Sequence, residues 1–133
     1  WLLFLLVVIW SNDTFAYFIG KNLGKHKLAP VISPRKTIEG AVGGIIGGAL
    51  VGIVFVHFTG LSARLVETAS ITVVIGLVAM IGDLAESLIK RAANVKDSGT
   101  IIPGHGGVLD RIDSLIFPVP LLYFYLLMRA FYA

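Results

Sequence analysis

The chain has 133 residues, of which 56% are hydrophobic and 14% charged, with a formal net charge of +3 and a mean hydropathy of +0.88. A soluble domain carries about 25% charged residues, so this composition excludes an ordinary soluble enzyme and indicates an integral membrane protein. Cysteine is absent, which excludes disulfides and thiolate metal centres.

A spanning helix needs about 20 mostly apolar residues. Four stretches qualify, and they predict an all-α fold: a polytopic membrane bundle of four transmembrane helices. The first, residues 1–19, opens inside an apolar run at Trp1 and is interrupted by Ser11, Asn12 and Asp13. With Trp1 rather than Met opening an apolar run, the chain reads as the C-terminal membrane part of a longer protein; its first ten residues lack the basic start and small-residue cleavage site of a signal peptide and are not read as one. The connection 20–40 carries Lys21, Lys25, Lys27, Arg35 and Lys36. Within it Pro34 is expected to fix a turn, and Thr37 with Gly40 to begin the second span.

That second span, residues 41–59, holds Gly43, Gly44, Gly47, Gly48 and Gly52. Small residues four apart let helix backbones approach closely in lipid, so the stripe reads as a packing face. A short connection, 60–64, carries a single basic residue, Arg64. The third span, 65–89, bears Asp83 and Glu86 near its end. The connection 90–113 carries Lys90, Arg91, Lys96 and Arg111, and the fourth span, 114–132, has Pro118 and Pro120 near its start. Two spans separate the two basic connections, so both lie on one side, and the positive-inside rule makes that side cytoplasmic.

Chemistry concentrates in residues 83–113. Asp83, Glu86, Ser87 and Lys90 stand at i, i+3, i+4 and i+7 and share one helix face. Ionisable groups in a span are costly and face polar cavities. Glu86 has a simpler explanation, an ion pair with Lys90 one turn on. Asp110 and Asp113 stand three apart at the expected start of the fourth span. Helix capping and the helix dipole account for one acid there. Two acids with Arg111 between them suit Mg²⁺, which takes one or two carboxylates plus substrate phosphates. With Asp83 they would form a three-carboxylate cluster, with room for a second cation.

His105 lies in a Gly104-His105-Gly106-Gly107 run. Glycines of this kind let backbone N–H groups close around phosphate oxygens. Lys90, Arg91, Lys96 and Arg111 are candidate phosphate ligands, as are Arg35 and Lys36. Asp13 is a further acid within a span. His26 and His57 read as incidental.

The segment from Ser87 through Lys90-Arg91, Lys96-Asp97, His105-Gly106-Gly107 and Asp110-Arg111-Ile112-Asp113 resembles the signature of the CDP-diacylglycerol synthases, or phosphatidate cytidylyltransferases. Two flanking pieces are also similar to the family: Ser11-Asn12-Asp13 with Ala16-Tyr17, and Ser33 to Gly40. The resemblance covers nearly the whole chain and implies transfer of CMP from CTP to phosphatidic acid, giving CDP-diacylglycerol and pyrophosphate. It implies that Asp83, Asp110 and Asp113 hold the metal, with Lys90 and His105 beside them in the catalytic set. Arg35, Lys36, Arg91, Lys96, Asp97, Gly106, Gly107 and Arg111 would bind substrate. CTP, phosphatidic acid and membrane lipids are the expected partners, in a bacterial inner membrane. No nucleic-acid partner is expected, and a homodimer is left open. Full family members have additional N-terminal spans.

Two other readings compete. A CTP-dependent lipid kinase would transfer the γ-phosphate with similar parts. A non-enzymatic cation- or lipid-binding membrane protein would bind metal without CTP turnover. The Asp pattern of the CDP-alcohol phosphotransferases is not present. Spacing alone assigns no cytidine-reading residue.

Overall fold

The computed structural model describes residues 1–61, 63–95 and 109–132, with the backbone alone described for residues 109–111. In chain order it contains α1 (Leu2–Leu23), β1 (Lys27–Ala29), β2 (Ser33–Thr37), α2 (Ile38–Thr59), α3 (Leu65–Ala92), α4 (Leu109–Ile116) and α5 (Pro118–Tyr132). Four stretches of the described residues are long and apolar enough to cross a membrane: Leu2–Leu23, Ile38–Thr59, Leu65–Ala92 and Ile112–Tyr132. The all-α membrane bundle expected from composition is the architecture found.

The boundaries differ from the sequence reading in instructive ways. α1 continues unbroken through Ser11, Asn12 and Asp13, and runs past the expected end at Ile19 to Leu23. An α-helix satisfies its own backbone hydrogen bonds, so polar side chains are tolerated where they face protein or a cavity. The second span begins at Ile38 because Thr37 caps it: its side chain accepts from the Gly40 N–H at 3.1 Å. The third span gains a turn that includes Lys90 and Arg91. The fourth is broken at Phe117 into α4 and α5, because Pro118 has no N–H to continue the ladder.

The first connection folds into a two-stranded antiparallel hairpin, pairing Lys27 with Thr37 and Ala29 with Ser33 across a register irregularity. Pro34 does not make its turn; it lies within β2, and the turn falls at residues 30–32. A two-stranded ribbon has only edge strands, where a missing N–H can face outward without cost.

The glycine stripe packs α2 onto α1. A Cβ added to Gly40, Gly44 or Gly48 would fall 2.7, 2.7 and 3.3 Å from the carbonyl oxygens of Ala16, Asn12 and Val8 respectively. The two antiparallel helices therefore meet backbone to backbone at every turn. Gly43 and Gly47 instead seat the side chains of Ile19 and Phe15, and Gly52 receives the Thr72 side chain of α3. The opposite face of α2 presents Val42, Ile46, Leu50 and Val54 outward. Such a large exposed aliphatic face suits lipid and would be a liability in water. Phe4, Leu5, Val8 and Ile9 of α1 pack with Ile75 and Ala79 of α3 and Leu122 of α5 to form the core.

Candidate active site

Two features meet at the hairpin end of the bundle: a cavity and a carboxylate cluster, with Asp83 belonging to both.

The cavity has a volume of about 810 Å³, in the range of ligand pockets (roughly 300–1,000 Å³). From α1 it takes Asn12, Asp13, Ala16, Tyr17, Gly20 and Lys21. The hairpin supplies Lys27, Leu28, Arg35 and Lys36, and α3 supplies Gly76, Ala79, Met80 and Asp83. Thr37 and the first turns of α2 close it. Four cationic side chains therefore surround a space with small-residue walls. The buried Asn12 sets its Oδ1 between Gly44 and Gly76, 3.1 and 3.2 Å from where their Cβ atoms would lie. This oxygen has no hydrogen-bond partner among the described residues.

The cluster comprises Asp83, Glu86 and Asp113, each offering one carboxylate oxygen, all within 4.8 Å of one another. Asp83 and Glu86 come from α3 at i, i+3, and Asp113 arrives from α4. Gly82 permits that approach, because a Cβ there would fall 2.9 Å from Phe117 Cδ2 and 3.0 Å from the Asp113 carbonyl oxygen. Three hard oxygen donors suit a hard divalent cation, and Glu86 fits that use further. It is 6% exposed, and neither of its buried oxygens makes a geometrically sound hydrogen bond among the described residues. Burying a carboxylate is expensive without compensation by a cation. Lys90 Nζ supplies part of it as an ion pair 2.9 Å from Glu86 Oε2.

Lys36 of β2 forms an ion pair with Asp83 and so ties the hairpin to α3. Arg91 Nε donates a long contact of 3.5 Å to the Ile32 carbonyl in the hairpin turn. On the other side, His26 Nδ1 lies 2.6 Å from Glu39 Oε1, and the His26 N–H also donates to that carboxylate. His26 is thus a hairpin anchor rather than incidental. His57 is exposed at the last turn of α2.

Of the residues singled out from sequence, Asp83, Lys90 and Asp113 come together at the cluster, with Lys36 on Asp83 and Arg35 in the cavity. Asp110 and Arg111 belong to α4, their side chains lying outside the description. Lys96, Asp97, His105, Gly106 and Gly107 lie outside the described residues. The expected Glu86–Lys90 pair is present, but Glu86 also belongs to the carboxylate cluster, a role that its shared helix face with Asp83 could have signalled. Lys21, Lys27 and Asn12 of the cavity were missed as site residues. Extending α1 past Ile19 would have brought Lys21 into the reckoning.

The sequence profile of the cytidylyltransferase family matches residues 1–129. Proteins named phosphatidate cytidylyltransferase are similar to the chain. That of Staphylococcus saprophyticus is 49% identical over 122 residues, covering 92% of this chain and 47% of the relative. That of Bacillus subtilis is 50% identical over 120 residues, covering 90% and 45%. That of Staphylococcus aureus is 46% identical over 122 residues, covering 92% and 47%. The chain spans about half the length of the relatives it matches. A match running from the first helix through most of the last, over both the cavity and the carboxylate cluster, establishes that the chain belongs to the cytidylyltransferase family.

Proposed function

We propose that the chain is the C-terminal membrane part of a phosphatidate cytidylyltransferase and carries its nucleotidyl-transfer site, at the cytoplasmic face of a bacterial inner membrane. The observation that carries this reading is the Asp83–Glu86–Asp113 cluster beside a cavity rimmed by Lys21, Lys27, Arg35 and Lys36. Carboxylates for a cation next to ammonium and guanidinium groups for phosphates are the parts that transfer at phosphorus requires.

In the proposed reaction a phosphate oxygen of phosphatidic acid attacks the α-phosphorus of CTP. The bond from that phosphorus to the β-bridging oxygen breaks, and pyrophosphate leaves. Phosphatidate supplies its own anionic nucleophile, so the protein needs no strong general base. Its work is to hold two polyanions in line and offset their charge. Arg35 and Lys36 meet phosphate oxygens from the hairpin, and Lys90 and Arg91 do so from the end of α3. Asp83, Glu86 and Asp113 hold Mg²⁺, with Asp110 as a further ligand in the sequence reading; the ion, when bound, polarises and neutralises phosphate oxygens. A site at the mouth of the bundle meets soluble CTP from one side and lipid from the other.

The test uses the full-length protein in phosphatidate-containing vesicles with Mg²⁺ and CTP labelled at either the α- or the γ-phosphate. Label entering lipid from the α position alone supports cytidylyl transfer. Label from the γ position alone makes the protein a lipid kinase. Label from neither position favours a binding protein.

A further inference from the structure

Two of the three carboxylates of the cluster already have cationic partners among the described residues. Lys36 is in contact with Asp83, and Lys90 Nζ lies 2.9 Å from Glu86. The two lysines are placed differently. Lys90 is one turn from Glu86 on the same helix, so its pairing is local. Lys36 reaches Asp83 from β2, across 47 positions of sequence, and its side chain also lines the cavity with Arg35.

An ammonium ion and a divalent cation on one carboxylate compete for the same lone pairs and repel each other at short range. A lysine is suited to give way. Its charge is compact and sits on a flexible four-carbon stem, and it has three donors that serve a phosphate as well as a carboxylate. We infer that Lys36 and a divalent cation compete for Asp83, so that the cation's arrival transfers Lys36 from the carboxylate to the anionic substrate in the cavity. This rests on reading the cluster as the cation site of the proposed reaction.

One consequence is coupling. A cation alone must break the Lys36–Asp83 pair and leave the ammonium beside it, so it binds weakly. With a nucleotide in the cavity, the released ammonium gains a phosphate, so each ligand strengthens the binding of the other by the same factor. Lys36 is then a positioning residue that links the two binding events, in addition to being a phosphate ligand.

The test is calorimetric titration of Mg²⁺ into the full-length protein in phosphatidate-free nanodiscs, where no turnover can occur, with and without CTP. Without CTP, Lys36→Met should bind Mg²⁺ roughly fivefold more tightly than wild type, the effect of losing one partly exposed ion pair. Lys25→Met, which removes an equal charge from the same connection outside the cavity, should match wild type. CTP should raise Mg²⁺ affinity in wild type and do so much less in Lys36→Met. Lys36→Gln gives the same reading if the Met variant does not fold. Unchanged or weaker Mg²⁺ binding in the Lys36 variant overturns the exchange while leaving the cation site standing. No Mg²⁺ binding at millimolar concentration by wild type or by Lys36→Met, with or without CTP, overturns both.

Discussion

Gly82 of α3 lies directly against Asp113 of α4: a Cβ at position 82 would stand 3.0 Å from the Asp113 carbonyl oxygen and 2.9 Å from the Phe117 ring. The absent side chain is what lets the third carboxylate reach the other two. Gly82→Val should push α4 outward and lower turnover roughly 10- to 100-fold, the scale on which displacements of about an ångström act. CTP turnover at saturating substrate, together with its Mg²⁺ dependence, checks this: the Mg²⁺ requirement should move to higher concentration.

Asp113→Asn keeps the shape of the side chain and removes its charge. Turnover should fall about 100-fold or more, the scale of losing one preorganised electrostatic group, while the protein remains folded in detergent. Near-wild-type activity would remove Asp113 from the metal site. Glu86→Gln tests the member of the cluster that sequence reading gave to an ion pair, and Mg²⁺ titration should show affinity reduced by about tenfold.

At the α1–α2 seam, Gly44→Val would drive a side chain into the Asn12 carbonyl, since even a Cβ would lie 2.7 Å away. Overpacking of this kind costs about 1–3 kcal/mol. Thermal unfolding in detergent should show that loss, while Ile46→Ala on the outward face should leave the transition close to wild type.

The end of the bundle away from the hairpin has its own polar clasp. Tyr125 OH donates to Glu67 Oε1, and Arg129 Nε lies 3.3 Å from the same oxygen, with its guanidinium 5.2 Å from the Trp1 ring centre. Tyr125→Phe should cost about 1 kcal/mol of stability and leave CTP turnover within twofold. Arg64→Ala, at the start of α3 on that same end, should likewise leave turnover nearly unchanged. A large loss at Arg64 would argue against the assigned topology.

The spans were legible because 20 apolar residues have few other folds open to them in a membrane. The glycine stripe was legible as packing because its spacing of four matches one helix face. The hairpin was not legible: β1 and β2 have three and five residues, too short and polar for a period-two pattern, and Pro34 argued for a turn. The break at Phe117 follows from Pro118, but sequence places such a break only to within a turn. Asp83 stood out as a charge where charge is costly, and Asp113 as one of two acids where a helix cap accounts for only one. Glu86 did not, because Lys90 one turn on explained it equally well. The cavity was legible in part: Asp13, Arg35, Lys36 and Asp83 stood out, whereas Asn12, Lys21 and Lys27 join them only when α1, the hairpin and α3 are assembled.

The backbone seam between α1 and α2 has a mechanical meaning. Helices separated by large side chains can slide as those side chains change rotamer. Helices in contact along Gly40, Gly44 and Gly48 have no such layer to shear. They form a single stiff frame, and Asn12, Asp13 and the Thr37 cap ride on it as fixed points. The hairpin and α4 are fastened to that frame and to α3 largely through side chains: Lys36 on Asp83, Glu39 on His26, and Phe117 over Gly82. Among the described residues, the α1–α2 side of the cavity is therefore its stiff wall, and the hairpin and α4 are the pieces held to it by contacts that a side-chain rotation can release.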